Sequence, residues 1–82
     1  MVELRYKANP RLAFKEIPDL VKTIRDKTGL GRKKFSQLLL TGAGTEQVER
    51  WEKKGTIPSE TNAIALLGVA ETYRVAVQPP NG

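Results

Sequence analysis

Apolar and charged residues alternate at the start of the chain, where Val2, Leu4 and Tyr6 are separated by Glu3, Arg5 and Lys7. A period of two puts the three apolar side chains on one face of an extended segment and predicts a short strand. Asn9-Pro10 then reads as a helix N-cap followed by proline at the first helical position, opening a short helical turn through Leu12, Ala13 and Phe14. Beyond Pro18 the spacing becomes helical. Leu20, Val21 and Ile24 define one helix, with Asp19 in its first turn and Gly29 as its stop. Phe35, Leu38 and Leu39 mark a second, from Arg32 to Leu40. Thr41-Gly42-Ala43-Gly44 supplies a turn in which two glycines offer positive φ values. A third helix runs from Thr45 to Lys53 with Val48 and Trp51 on its inward side. Ser59 caps a last helix that buries Ala63, Ile64, Leu67 and Ala70. Arg74 to Gln78 is β-branched at alternate positions and predicts a second strand, followed by a tail at Pro79-Pro80.

The pattern therefore gives a mainly α protein of one domain: four to five helices with short strands at the two termini. Residues 1–16 form an N-terminal strand and short helical arm, 17–73 the helical unit, and 74–82 a C-terminal strand and tail. With 82 residues the chain encloses one small core. It contains neither cysteine nor histidine, which removes disulfides, thiolate metal sites, the commonest general base and the commonest neutral metal ligand. No pairing of nucleophile and base is found among the remaining groups, so an enzyme is not expected, and neither is a cofactor or metal. Nor is there a signal peptide or a run of about 20 apolar residues, so the expectation is a cytoplasmic, nucleoid-associated protein away from membranes.

The net charge of +5 is unevenly distributed, with ten Lys/Arg against four Asp/Glu in residues 1–37 and four against five in the remainder. Arg32, Lys33 and Lys34 crowd the first turn of their helix, where cations oppose the helix dipole by a few tenths of a kcal/mol each. A nearby phosphate is one reason to tolerate them; a solvated charge run is the other. Two short helices joined by a glycine-containing turn form a helix-turn-helix, whose second helix enters the DNA major groove while the first crosses the backbone.

The run Gly29-Leu30-Gly31-Arg32-Lys33-Lys34-Phe35-Ser36-Gln37-Leu38-Leu39, then Val48-Glu49-Arg50-Trp51-Glu52, then Gly55 and Pro58-Ser59, resembles the Xre/Cro-repressor helix-turn-helix domain. The likeness spans about Leu20 to Ala70. It implies a compact helical domain that binds operator DNA, usually as a homodimer on a palindrome, and that acts as a transcriptional repressor. Two departures stand beside it: the turn carries about two extra residues, placed at Leu40-Thr41 and similar to the longer turn of some antitoxins, and Gly31-Arg32 replaces a hydroxyl residue at the helix start.

Carried over by position, Thr45, Glu46 and Arg50 match base-facing residues, with Gln47 beside them. Arg50 suits guanine, Gln47 adenine and Glu46 the cytosine amino group. Arg32, Lys33, Gln37, Lys54 and Thr56 fall near the phosphate-contacting positions. Against this, Glu46, Glu49 and Glu52 repel phosphate, and Arg50 has a local partner available in Glu46 four residues earlier. Trp51, Phe35 and Tyr73 read as core. The terminal strands are expected to pair within the chain or across a homodimer. An antitoxin whose Val2–Lys15 or Arg74–Gln78 segment covers a toxin protein is the alternative function, and a protein-binding module that has lost DNA a third.

Overall fold

A computed structural model of the chain describes residues 2–79, and the tail expected from Pro80 lies outside them. Among the described residues six helices follow one another: α1 (Leu4–Ala8), α2 (Pro10–Glu16), α3 (Leu20–Thr28), α4 (Arg32–Leu39), α5 (Thr45–Lys53) and α6 (Glu60–Thr72). The Cα radius of gyration, 11.3 Å, matches the value of about 12 Å for a compact domain of this length.

The expected terminal strands are not present. Residues Leu4 to Ala8 are helical, and the sole remnant of sheet among the described residues is a parallel bridge between Val2 and Val77, with Glu3 N–H donating to the Val77 carbonyl at 2.9 Å. A lone pair of short strands is marginal in water, so burial against helices wins over extending the ladder. The alternation nonetheless located the inward residues at the C-terminus, where Val75 and Val77 are buried while Arg74 and Ala76 are exposed. At the N-terminus it failed for one residue. Helical winding turns Tyr6 fully inward and leaves Leu4 81% exposed. Tyr6 then donates its hydroxyl to Glu16 at 2.6 Å, and Arg5 pairs with the same carboxylate, so α1 is pinned to α2.

Pro10 takes the first position of α2 as expected, but Asn9 accepts no capping bond through its side chain. Asp19 precedes α3 in the left-handed region, φ 56°, and does not cap it through its side chain. Gly29 closes α3 at φ 72°, a conformation that costs glycine little. Ser59 does cap α6, accepting from the Asn62 N–H at 3.4 Å.

The core is built from Tyr6, Ile24, Phe35, Val48, Leu66 and Val77, all fully buried, with Leu20, Val21, Leu39, Trp51, Leu67 and Ala70 around them. Full burial of a side chain such as Phe35 contributes about 1.5–3 kcal/mol. Two expected core residues lie elsewhere. Ile64 is 54% exposed, because the inward stripe of α6 is Ala63, Leu66, Leu67 and Ala70, and Leu66 fills the place expected of it. Tyr73, beyond the end of α6, is 36% exposed. No helix among the described residues is long and apolar enough to cross a membrane.

Candidate functional site

The pair α4–α5 is held on its inner side by Phe35, Leu39, Val48 and Trp51. Leu38, expected beside Phe35 and Leu39, lies at the edge of that stripe and is 37% exposed. Helix α4 starts at Gly31, which brings no side chain to cap it, so the first N–H groups of α4 sit beside Arg32, Lys33 and Lys34 without a capping acceptor. The turn differs from expectation in one respect. Gly42 has φ 83°, but Gly44 is extended and serves as the N-cap of α5; the second left-handed residue is Leu40, φ 59°. A leucine there costs roughly 1–2 kcal/mol relative to an ordinary conformation, and its side chain is 90% exposed. The turn is tied down by Thr41, whose hydroxyl is hydrogen-bonded to Asn62 of α6.

Helix α5 begins as the sequence predicts. Val48 is fully buried and Trp51 is 6% exposed, which sets the rotation of the helix about its axis. Thr45, Glu46, Gln47, Glu49 and Arg50 consequently all face solvent. Among the described residues none of these five side chains makes a hydrogen bond or ion pair within the chain; in particular the available Glu46–Arg50 pair is not formed. Glu46, Glu49, Arg50, Lys53 and Lys54 line a shallow groove along this face.

The third carboxylate of α5 has a different environment. Glu52 is 2% exposed at its side chain and receives Arg25 Nε at 2.6 Å on one oxygen, and Arg25 Nη2 at 3.1 Å and Arg32 Nε at 3.2 Å on the other. Arg25 also donates to the Leu30 carbonyl at 3.2 Å. One carboxylate thus joins α3, the connection after it, α4 and α5. Burial pushes the Glu52 carboxyl up, but the hydrogen bond and charge of Arg25, followed by those of Arg32, outweigh it and hold the group below the usual glutamate range. The hydrogen bond to Glu52 raises Arg25 against an opposing effect of burial, with the charges of Glu52 and Asp26 adding to it.

In comparisons with known proteins, no family model, curated protein or solved structure matches this chain.

The site residues are accordingly placed by geometry alone. Thr45, Glu46, Gln47 and Arg50 share the outer face of α5, and Lys33, Gln37, Lys54 and Thr56 are exposed. Arg32, expected near a phosphate, has its guanidinium engaged by Glu52 while its side chain retains 31% exposure. Sequence reasoning missed Arg25 altogether. A signal existed, since Arg25 follows the buried Ile24 and Glu52 follows the buried Trp51, which puts opposite charges at the margins of two packed stripes.

The charge argument also changes. The cations paired within the chain are Arg5, Lys7, Lys22, Arg25 and Arg32, all in the cation-rich first 37 residues. Between residues 32 and 54 the unpaired groups are Lys33, Lys34, Arg50, Lys53 and Lys54 against Glu46 and Glu49. The α4–α5 segment therefore keeps a positive excess after internal pairing, as does the N-terminal half, where Arg11, Lys15 and Lys27 also lack an ion pair among the described residues. Among the described residues no cluster of acidic side chains is arranged to hold a metal ion.

Proposed function

We propose that this chain is a sequence-specific duplex-DNA-binding protein, a non-catalytic transcriptional repressor of the Xre/Cro type, that reads the major groove with the outer face of α5. The observation that carries the reading is the two-sided character of α5: one side is locked by Val48, Trp51 and Glu52, and the other is bare, polar and without partners. A rigid helix with an unoccupied hydrogen-bonding face is what direct readout of base edges requires.

Arg50 is assigned to guanine, Gln47 to adenine and Glu46 to the cytosine amino group, with Thr45 at the leading end. Lys33, Gln37, Lys54 and Thr56 are assigned to phosphates, which fix register without reading sequence. Arg32 reaches a phosphate only by sharing or leaving Glu52, so its contribution to binding is smaller than that of Lys33. A homodimer on a palindrome and a place on the nucleoid belong to the same reading.

Selection of bound sequences from random duplexes, repeated with Arg50→Ala, tests it. Enrichment of a defined site by the wild type, with lost preference at one or two positions in the variant, is expected. A pool without enrichment, or affinity that does not fall with salt, overturns it.

One observation favours a protein partner as well. Val2, Pro10, Ile64, Leu67 and Gly68 line an apolar groove formed by residues outside α4 and α5, with Ile64 half exposed. Such a face suits an antitoxin that covers a toxin by apolar packing, not by strand addition, because Val75 and Val77 are buried in the chain's own core. Co-purification of a neighbouring gene's product with the wild type, abolished by Ile64→Asp while DNA selection is unchanged, is the expected result for that function.

A further inference from the structure

We propose that Leu40 is a specificity-determining residue that packs against the 5-methyl group of a thymine at the edge of the sites read by α5. This rests on the DNA-reading assignment above and extends it to a residue outside the reading helix.

Leu40 is unfavourable for the fold on two independent counts. Its backbone lies at φ 59°, where a side chain with a Cβ is disfavoured and glycine is not. Its side chain is 90% exposed, the most of any large hydrophobic residue among the described ones. A glycine at this position relieves the strain and removes apolar surface from water, so packing within the chain gives no reason for leucine.

Position in the fold supplies the reason. Leu40 ends α4 and stands four residues before Gly44, the N-cap of α5, which keeps the two Cα atoms within about 15 Å of each other. The leading end of α5, with Thr45 to Gln47 exposed, is the part assigned to base edges, so the turn that feeds it runs beside the groove wall. The target is methyl-sized and not a protein surface. Along residues 37–45 the other exposed positions are Gln37, Leu38, Gly42, Gly44 and Thr45, of which only Leu38, at 37% exposure, is a large apolar side chain, so this stretch of chain offers little of the contiguous apolar area that protein partners bury. An isolated apolar side chain on a surface with free cations matches the single apolar group that B-DNA exposes in its major groove, the thymine methyl.

The test uses the full chain and the duplex obtained by selection, with each thymine in turn replaced by deoxyuridine, which deletes the methyl and leaves the hydrogen-bonding edge intact. Wild type, Leu40→Gly and Leu40→Asn are compared; glycine and asparagine both accept the left-handed backbone, so both variants should denature at or above the wild-type midpoint. The expected result is one thymine, flanking the bases that Arg50→Ala affects, whose conversion weakens the wild type about 3- to 10-fold. Both variants bind the thymine duplex more weakly by a similar factor and are indifferent to deoxyuridine at that position. If the variants keep the wild type's sensitivity at every thymine, or bind as tightly as the wild type, the proposal is overturned; unchanged DNA binding with loss of a protein partner overturns it in favour of a protein contact. A marked fall in the variants' denaturation midpoint also overturns it, by making Leu40 structural. Failure of the underlying reading has a separate signature, the absence of any selected sequence for the wild type.

Discussion

Helix α5 carries three carboxylates on nine residues, and they divide into two regions with opposite fates. Glu52, near the C-terminal end, is enclosed between Arg25 and Arg32 and almost wholly removed from water. Glu46 and Glu49 lie on the outer face beside Arg50 and Lys53, exposed and without ion pairs. The same residue type is a structural bolt at one position and part of an open surface at the others. What separates them is rotation about the helix axis, set by Val48 and Trp51. Glu52 neighbours Trp51 at the margin of the packed side, whereas Glu46 and Glu49 project from the other.

The sharpest way to break this comparison is to remove the enclosed carboxylate. Glu52→Ala leaves two guanidinium groups facing each other without their shared partner, and is expected to lower unfolding free energy by about 2–4 kcal/mol. For a domain of this size that corresponds to a fall of at least about 10 °C in Tm, read by thermal denaturation. Acid gives a second reading of the same group. Because the folded-state carboxyl is held below its unfolded value, its stabilisation is complete above about pH 4.3, the ordinary glutamate value, and is lost as pH falls below it through the folded value. The decline in stability below that pH should be shallower in Glu52→Gln than in the wild type.

The two arginines should then separate. Arg25 makes both ends of a bidentate contact and is 16% exposed at its side chain; Arg32 makes one contact and is 31% exposed. Arg25→Ala is expected to cost about 2–3 kcal/mol and Arg32→Ala about 1 kcal/mol or less, measured by urea denaturation. Equal costs would show that the network is held as much from α4 as from α3.

On the open face the scale of effect moves from stability to binding. Arg50→Ala should change unfolding free energy by no more than about 0.5 kcal/mol, since its side chain is exposed and makes no hydrogen bond or ion pair within the chain. Affinity for the selected duplex should fall by about 1–3 kcal/mol, roughly 5- to 150-fold, with little loss on random DNA.

How far this division was legible in the sequence follows from the same geometry. Periodicity located α5 from Thr45 to Lys53, its Val48–Trp51 anchor and its five outward residues, because a helix with so few apolar positions leaves one choice of buried side. The same method placed Ile64 inward in α6, where apolar residues occur all round the helix and no single stripe is marked. It read Val2 to Tyr6 as a strand because five residues suffice for an alternation but do not exclude a helical turn. Spacing within α5 groups Glu52 with Glu46 and Glu49, because its partners come from α3 and α4, 27 and 20 residues away; their only trace in the sequence is that Arg25 and Glu52 each follow a buried residue of a packed stripe.

The smallest effect is also the most discriminating, because it concerns a carboxylate on the face assigned to a polyanion. Glu49 is exposed, bears no ion pair and shares a shallow groove with Arg50, Lys53 and Lys54. Glu49→Gln keeps the shape and hydrogen-bonding capacity of the side chain and deletes only its charge. Stability should stay within about 0.5 kcal/mol of the wild type, in contrast to Glu52→Gln on the same helix. Duplex affinity at low salt should rise by a few tenths of a kcal/mol, roughly twofold, as repulsion from phosphate is relieved, and the gain should fade as salt screens it. A rise of that kind identifies Glu49 as a tolerated charge at the margin of the groove. A tenfold loss confined to one base position would instead mark it as an acceptor for a cytosine amino group, and would move the readout one helical turn toward the C-terminus of α5 from Glu46.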